Sequence, residues 1–227
     1  IGPRGGRNLD QSSPSSLFSG RILDVEIDNN SGLRIGSATG GIWQQGNPSV
    51  PLSDKVSSLS IGSFTTHPTN PNIIFAGTGE PAVRAGSGLW KTTDGGANWV
   101  QVNMGSDVYA FSKIRYINNN PNVIYASGHG GFFTSGDGGS LWQRRNVTGA
   151  NPAPGNDVVS DFIVDPSNLN IIIAAVWDWG TGNGGIYKST NGGANWNKIT
   201  NGNPGTKVGN TTLAFSTALS STIYPNI

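Results

Sequence analysis

Three twelve-residue segments of this chain are versions of one another, and an internal repeat constrains a fold more tightly than composition does. They read GLWKTTDGGANW at residues 88–99, GFFTSGDGGSLW at 131–142 and GIYKSTNGGANW at 185–196. Each holds Ser or Thr, then Asp or Asn, then Gly, then Trp at fixed offsets. The sets are Thr92, Asp94, Gly96 and Trp99; Ser135, Asp137, Gly139 and Trp142; and Ser189, Asn191, Gly193 and Trp196. A second element precedes each: HPTNPNIIFAG at 67–77, INNNPNVIYAS at 117–127 and DPSNLNIIIAA at 165–175, with a weaker copy, STALSSTIY, at 216–224. The box repeats after 43 residues (94 to 137) and after 54 (137 to 191). That is the length of a four-stranded propeller blade, with an insertion in the second interval.

The residue types explain the box as a turn. A short carboxylate or amide accepts backbone N–H groups of its own loop, and the Ser/Thr hydroxyl does the same. The Gly takes a positive φ, and the Trp covers the hairpin with a large apolar face. The first strands fall near 114–117 and 161–164. The second follow the Asn-Pro-Asn turn at 73–76, 123–126 and 171–176. The third lie at 89–91, 132–134 and 186–188, and the Trp is expected to begin the fourth. His67 fills the turn position of Asp165.

Composition agrees with an all-β chain. It has 34 Gly and 13 Pro in 227 residues, 12% charged residues, and seven Trp, eight Phe and five Tyr for a core. Net charge is +1 and no basic run exceeds Arg144-Arg145, which speaks against nucleic acid as a partner. Without cysteine there is no disulfide framework, thiolate metal site or cysteine nucleophile. The longest apolar run, 171–177, is far short of a membrane span. No Walker motif, zinc-type His cluster or Gly-x-Ser-x-Gly elbow appears, so no metal or cofactor is expected. The Asp-Gly-Gly clusters lack the ligand run of a calcium loop. The chain opens on Ile1-Gly2-Pro3 with no signal-peptide pattern, as a processed or truncated product would.

The boxes in register resemble the BNR or Asp-box repeat propellers, whose members include sialidases, xyloglucan-cleaving hydrolases, sortilin-type receptors and a photosystem assembly factor. The resemblance spans nearly the whole chain and extends to residues 1–3 and 19–22, which look like the lead-in of secreted bacterial members. It implies an all-β propeller of four-stranded antiparallel blades, about four and a half of them. A lead-in at 1–20 precedes blades near 21–45, 56–103, 107–146 and 157–200, and an incomplete one at 211–227. Six to eight blades of roughly 45 residues need about 270 to 360 residues. Closure is therefore expected to require the rest of a parent chain or another chain.

In such a blade the box turn and the loop between strands two and three lie at opposite ends, and ligand sites of the family usually lie on the loop end. That directs attention to three loops. Glu80 and Arg84 could orient a polar ligand, or pair with each other, or point to water. His129, between glycines, could act as acid, base or ligand, or be a surface residue. Trp177, Asp178 and Trp179 combine flat apolar faces with a carboxylate, as a sugar platform does, unless a Trp packs between blades. The family's hydrolases carry an Asp before Gly-Gly in blade one, where Ala38 precedes Thr39-Gly40-Gly41 here. The sialidases' Phe-Arg-Ile-Pro motif is absent. The expectation is a non-catalytic secreted or cell-surface propeller that binds glycan or protein. A glycoside hydrolase and an assembly factor for a membrane complex are the alternatives.

Overall fold

The computed structural model describes residues 6–7, 17–18, 21–27, 32–46, 49–105, 108–149, 157–178, 180, 182–201, 208–215 and 223–226. Among them there is no helix, and none is long and apolar enough to cross a membrane. A small sheet pairs β1 (Gly6–Arg7) with β2 (Leu17–Phe18). Four four-stranded antiparallel sheets follow, each in chain order. Blade one holds β3 (Ile22–Ile27), β4 (Leu33–Ser37), β5 (Gly41–Gln44) and β6 (Val50–Pro51). Its fourth strand lies past residue 45, where the sequence expectation ends the blade. Blade two holds β7 (Ile61–Thr66), β8 (Ile74–Thr78), β9 (Leu89–Thr92) and β10 (Val100–Val102). Blade three holds β11 (Phe111–Tyr116), β12 (Ile124–Gly128), β13 (Gly131–Ser135) and β14 (Gln143–Arg145). Blade four holds β15 (Val158–Asp165), β16 (Asn168–Trp177), β17 (Gly185–Ser189) and β18 (Asn197–Lys198). Blade five is the pair β19 (Thr212–Phe215) and β20 (Ile223–Asn226).

The first strands β3, β7, β11, β15 and β19 neighbour one another in turn, which makes them the inner strands of an arc of blades. Each junction has its own apolar core. Ile42 and Leu52 of blade one meet Phe64, Ile74 and Ala76 of blade two. Phe75 and Leu89 meet Ile114, Ile124 and Phe133. Tyr125 and Phe132 meet Phe162, Ile172 and Tyr187, and Ile173 and Ile186 meet Leu213. Strand alternation produces this arrangement. One side of each blade, its leading face, packs on the preceding blade, and the other, its trailing face, packs on the next.

A bulge recurs in strand one of all four complete blades, between Ile22 and Asp24, Ile61 and Ser63, Phe111 and Lys113, and Val159 and Asp161. It aims the following residue at the next blade. Asp24 Oδ2 accepts the Phe64 N–H at 3.0 Å, Ser63 Oγ that of Ile114 at 2.9 Å, and Asp161 Oδ2 that of Leu213 at 2.7 Å. Lys113 has no acceptor to offer. Its Nζ donates instead to the Phe162 carbonyl at 2.9 Å and to Asp161 Oδ1 at 2.7 Å. Arg115 reaches back across blade two to Asp24 at 2.6 Å, tying three blades together.

The boxes occupy equivalent hairpins between strands three and four. The Oδ1 atoms of Asp94, Asp137 and Asn191 accept the hydroxyls of Thr92, Ser135 and Ser189 at 2.8, 2.9 and 3.0 Å. They also accept the N–H groups of Asn98, Leu141 and Asn195 at 2.8, 2.9 and 2.8 Å. Asn191 thus keeps both of these bonds. The following glycines Gly95, Gly138 and Gly192 donate to the carbonyls of Asn72, Asn122 and Asn170, docking each box on its own blade's first turn. The Trp residues stand one position before strand four, not at its start: Trp99, Trp142 and Trp196 precede Val100, Gln143 and Asn197. They act across the junction as well as over the hairpin. Trp99 Nε1 donates to Leu52 O at 2.9 Å, and Trp142 and Trp196 meet Phe75 and Phe132 edge-on at 6.3 and 5.5 Å.

Candidate functional site

Antiparallel order puts every strand 2–3 loop at the end opposite the boxes, with the connectors that enter each new blade. Backbone bonds lace the two together. The loops of blades one, two and three donate to their own connectors in Ala38 to Arg21, Gly79 to Ser60 and His129 to Ala110. It also donates to the next blade's connector in Gly41 to Leu59, Gly86 to Tyr109, Gly130 to Asp157 and Asp178 to Val208. The sequence-selected loops therefore share one braced face.

On that face the two acids singled out by the sequence, Glu80 and Asp178, are already engaged. Glu80 pairs with Arg21 of blade one, and its backbone closes a tight loop on Arg84 through two N–H···O bonds of 2.8 and 2.9 Å. The Arg84 side chain is exposed. Asp178 Oδ1 accepts the Gly182 N–H at 2.9 Å, closing its own loop. Trp177 is half-buried at the end of β16, in register with Val158, and Trp179 lies outside the described residues.

His129 is drawn to Tyr109, in the connector that enters blade three. Its Nε2 lies 2.8 Å from the hydroxyl of Tyr109, and the two rings stack at 4.3 Å between centroids with a 35° tilt. Burial lowers the His129 pKa, which favours the neutral ring. Tyr109 is 41% exposed and stands at the rim of a groove of about 640 Å³ between blades two and three. Leu89, Met104 and Val108 form its apolar floor, and Ser87, Gln101 and Asn103 add uncharged polar groups. The Gln101 amide donates to Ser87 O at 2.7 Å and so holds its side chain in place. A sequence signal for Tyr109 exists only in its position, two residues before strand one and opposite a Gly-flanked His.

Other titratable groups serve the arc. Burial raises the pKa of Glu26 against the opposing pull of Arg115, and its Oε2 accepts the Thr66 N–H at 2.7 Å. Burial likewise raises Asp157, whose Oδ2 accepts the Thr148 hydroxyl at 2.9 Å. Among the described residues no group of three or more His, Cys, Asp or Glu is placed to hold a metal ion.

No protein-family model matches the chain, and no curated protein sequence does. Solved structures do. An ancestral GH74 enzyme aligns over 86% of this chain and 27% of its own, with a TM-score of 0.63 at 20% identity. The GH74 enzyme of Niastella koreensis aligns over 91% of this chain and 33% of its own, with a TM-score of 0.64 at 19% identity. YCF48 bound to D1 peptide aligns over 88% and 58%, with a TM-score of 0.56 at 15% identity. The chain therefore spans a third or less of those enzymes and less than two thirds of YCF48. At these identities the likeness is one of fold, and the fold is a β-propeller.

Proposed function

We propose that this chain is a non-catalytic propeller segment of a secreted or cell-surface protein, and that it binds a neutral glycan in the groove beside Tyr109. One observation carries the reading. Both candidate acids on the loop face are committed to holding structure, Glu80 by Arg21 and Asp178 by Gly182, while the groove itself is lined by an exposed aromatic ring and uncharged polar groups. Hydrolysis of a glycosidic bond by paired carboxylates needs one as proton donor and the other as base or nucleophile. Stacking on a sugar needs only a fixed apolar ring with hydroxyl and amide groups beside it. His129 fixes that ring.

A peptide ligand is the second reading, favoured by the structural likeness to YCF48 bound to D1 peptide. A glycan array and a peptide array, run beside a reducing-end assay on polysaccharides, separate the possibilities. The expected result is glycan retention without turnover, weakened at least tenfold by Tyr109→Ala. Release of reducing ends that is lost in Asp178→Asn or Glu80→Gln would establish a hydrolase instead. Retention of peptides alone would establish the second reading.

A further inference from the structure

We infer that the first turn of blade two, residues 67–73, is an acid-released latch: His67 stands in for a carboxylate there, and lets go of the turn and of the box docked on it when its ring takes a proton. His67 Nδ1 accepts the backbone N–H groups of Thr69 at 3.2 Å and Asn70 at 3.1 Å. An imidazole nitrogen accepts only while it carries no proton, so the folded turn holds the ring neutral with its hydrogen on Nε2. The bonds run on from there. The Asn70 carbonyl accepts the Ile73 N–H at 3.0 Å, and its Oδ1 accepts that of Asn72 at 3.1 Å. The Asn72 carbonyl accepts the Gly95 N–H at 2.9 Å, the bond that docks the Asp94 box. A proton on Nδ1 sets a donor against two backbone donors at the head of this series.

The repeat supplies the comparison. Asp165 holds the same position in blade four, where its Oδ1 accepts the Ser167 N–H at 2.8 Å and hydroxyl at 2.6 Å. Ile117 holds it in blade three and has no acceptor to offer; there Asn118 and Asn119 turn the chain at φ +53° each. Equivalent boxes thus dock on turns headed by an imidazole, an apolar side chain and a carboxylate, and only the imidazole changes charge near neutral pH.

The groups around the ring bear on that proton. Burial and the Lys91 cation of β9 lower the His67 pKa. Lys91 is itself held by the Gly138 carbonyl at 3.1 Å. Tyr116 of β11 meets the ring edge-on at 5.3 Å between centroids, and burial raises its own pKa, so it brings no charge. Glu26 of β3 and Arg34 of β4 reach Thr66, the residue before His67, through bonds of 2.7 and 2.9 Å, and bring one charge of each sign. Asp94, beside Gly95, is engaged by Thr92 and Asn98.

The test uses a His129→Gln chain, which leaves His67 as its one histidine. Proton NMR follows the ring, and hydrogen exchange follows the Gly95, Gly138 and Gly192 amides. A His held neutral by the fold contributes stability that is full above its unfolded pKa and lost as pH falls through the lower folded value. The protection of Gly95, relative to its intrinsic rate, should therefore fall from about pH 6.5 down to the folded pKa, by up to about tenfold per pH unit, and level off below it. The total fall should match the shift read from the ring. Gly138 and Gly192 should stay level across that window. His67→Asp keeps an acceptor and should move the fall at Gly95 to the carboxylate range, near pH 4. The inference is overturned by a ring that titrates at or above its ordinary value, by a Gly95 curve parallel to that of Gly138, or by a His67→Asp chain whose fall stays where it was. The latch lies at the box end of the blade, opposite Tyr109, and is independent of the ligand proposed there.

Discussion

Asp24 Oδ2 accepts the backbone N–H of Phe64 at 3.0 Å, and the same oxygen takes the Ser63 hydroxyl at 2.5 Å and Arg115 Nη1 at 2.9 Å. One carboxylate in blade one therefore holds partners from blades two and three. Removing it in Asp24→Ala strands a partly buried guanidinium and an amide. The expected loss is about 2–4 kcal/mol, somewhat below the range for a fully buried pair because Arg115 is partly exposed. Urea unfolding measures it. Asp24→Asn keeps an acceptor and should lose less; equal losses would mean that the clamp is not what the residue provides.

The box carboxylates tie stability to acid. The N–H groups of the Asn98 backbone and side chain and the Thr92 hydroxyl hold the Asp94 pKa down to about 2, and those of Leu141 and Ser135 lower that of Asp137. A depressed carboxylate contributes stability that is present above its unfolded pKa, near 4, and is lost as pH falls through the folded value. The thermal midpoint should therefore drop between about pH 4 and 2, and drop less in an Asp94→Asn, Asp137→Asn double variant. Asn191 already shows that an amide makes the Oδ1 bonds. Parallel curves for the two proteins would refute this origin.

Gly139 is fixed by its neighbour as much as by its own backbone. Its φ is +82°, and a Cβ there would lie 2.3 Å from the Phe75 ring of the preceding blade. Gly139→Ala should cost about 2–5 kcal/mol through strain and overpacking. Gly136→Ala, three residues earlier with nothing within 4 Å, is the control and should be near neutral. Differential scanning calorimetry distinguishes them.

His129 makes the Tyr109 platform sensitive to pH. Burial lowers its pKa, so folding favours the neutral ring. Stability from this group is full above the unfolded pKa near 6.5 and is lost as pH falls through the lower folded value. The protection of the Tyr109 and His129 amides from hydrogen exchange, relative to their intrinsic rates, should fall as pH drops below about 6.5, and His129→Gln should flatten that dependence. An unchanged slope in the variant would remove the histidine from the account.

How much of this was legible beforehand depended on range along the chain. The boxes are local, so Thr92, Asp94 and Asn98 announce their turn in sequence, and the strands fall where the repeat puts them. The junction clamp is not local. Asp24, Ser63, Lys113 and Asp161 differ in chemistry and align only once the strand-one bulge is known. Trp142 read as a hairpin cover because Phe75, its partner across the junction, lies in another blade. Among the candidate site residues, sequence selected Glu80, Arg84, His129 and Asp178 through their place in the strand 2–3 loops. It had no means of seeing that Arg21 occupies Glu80, or that Tyr109 lies under the hand of His129.

Lys113 bears on how such a chain can change its length. Ser63 asks the next blade for a backbone N–H, which every strand supplies, but Arg115 of blade three reaches past it to Asp24 of blade one, so a duplicated blade two would part that pair. Lys113 asks for more, since its cation needs the Asp161 carboxylate as well as a carbonyl. Blades one to four are thus linked by side chains specific to their order, and a blade could be gained or lost among them only with the loss of one of these charged pairs.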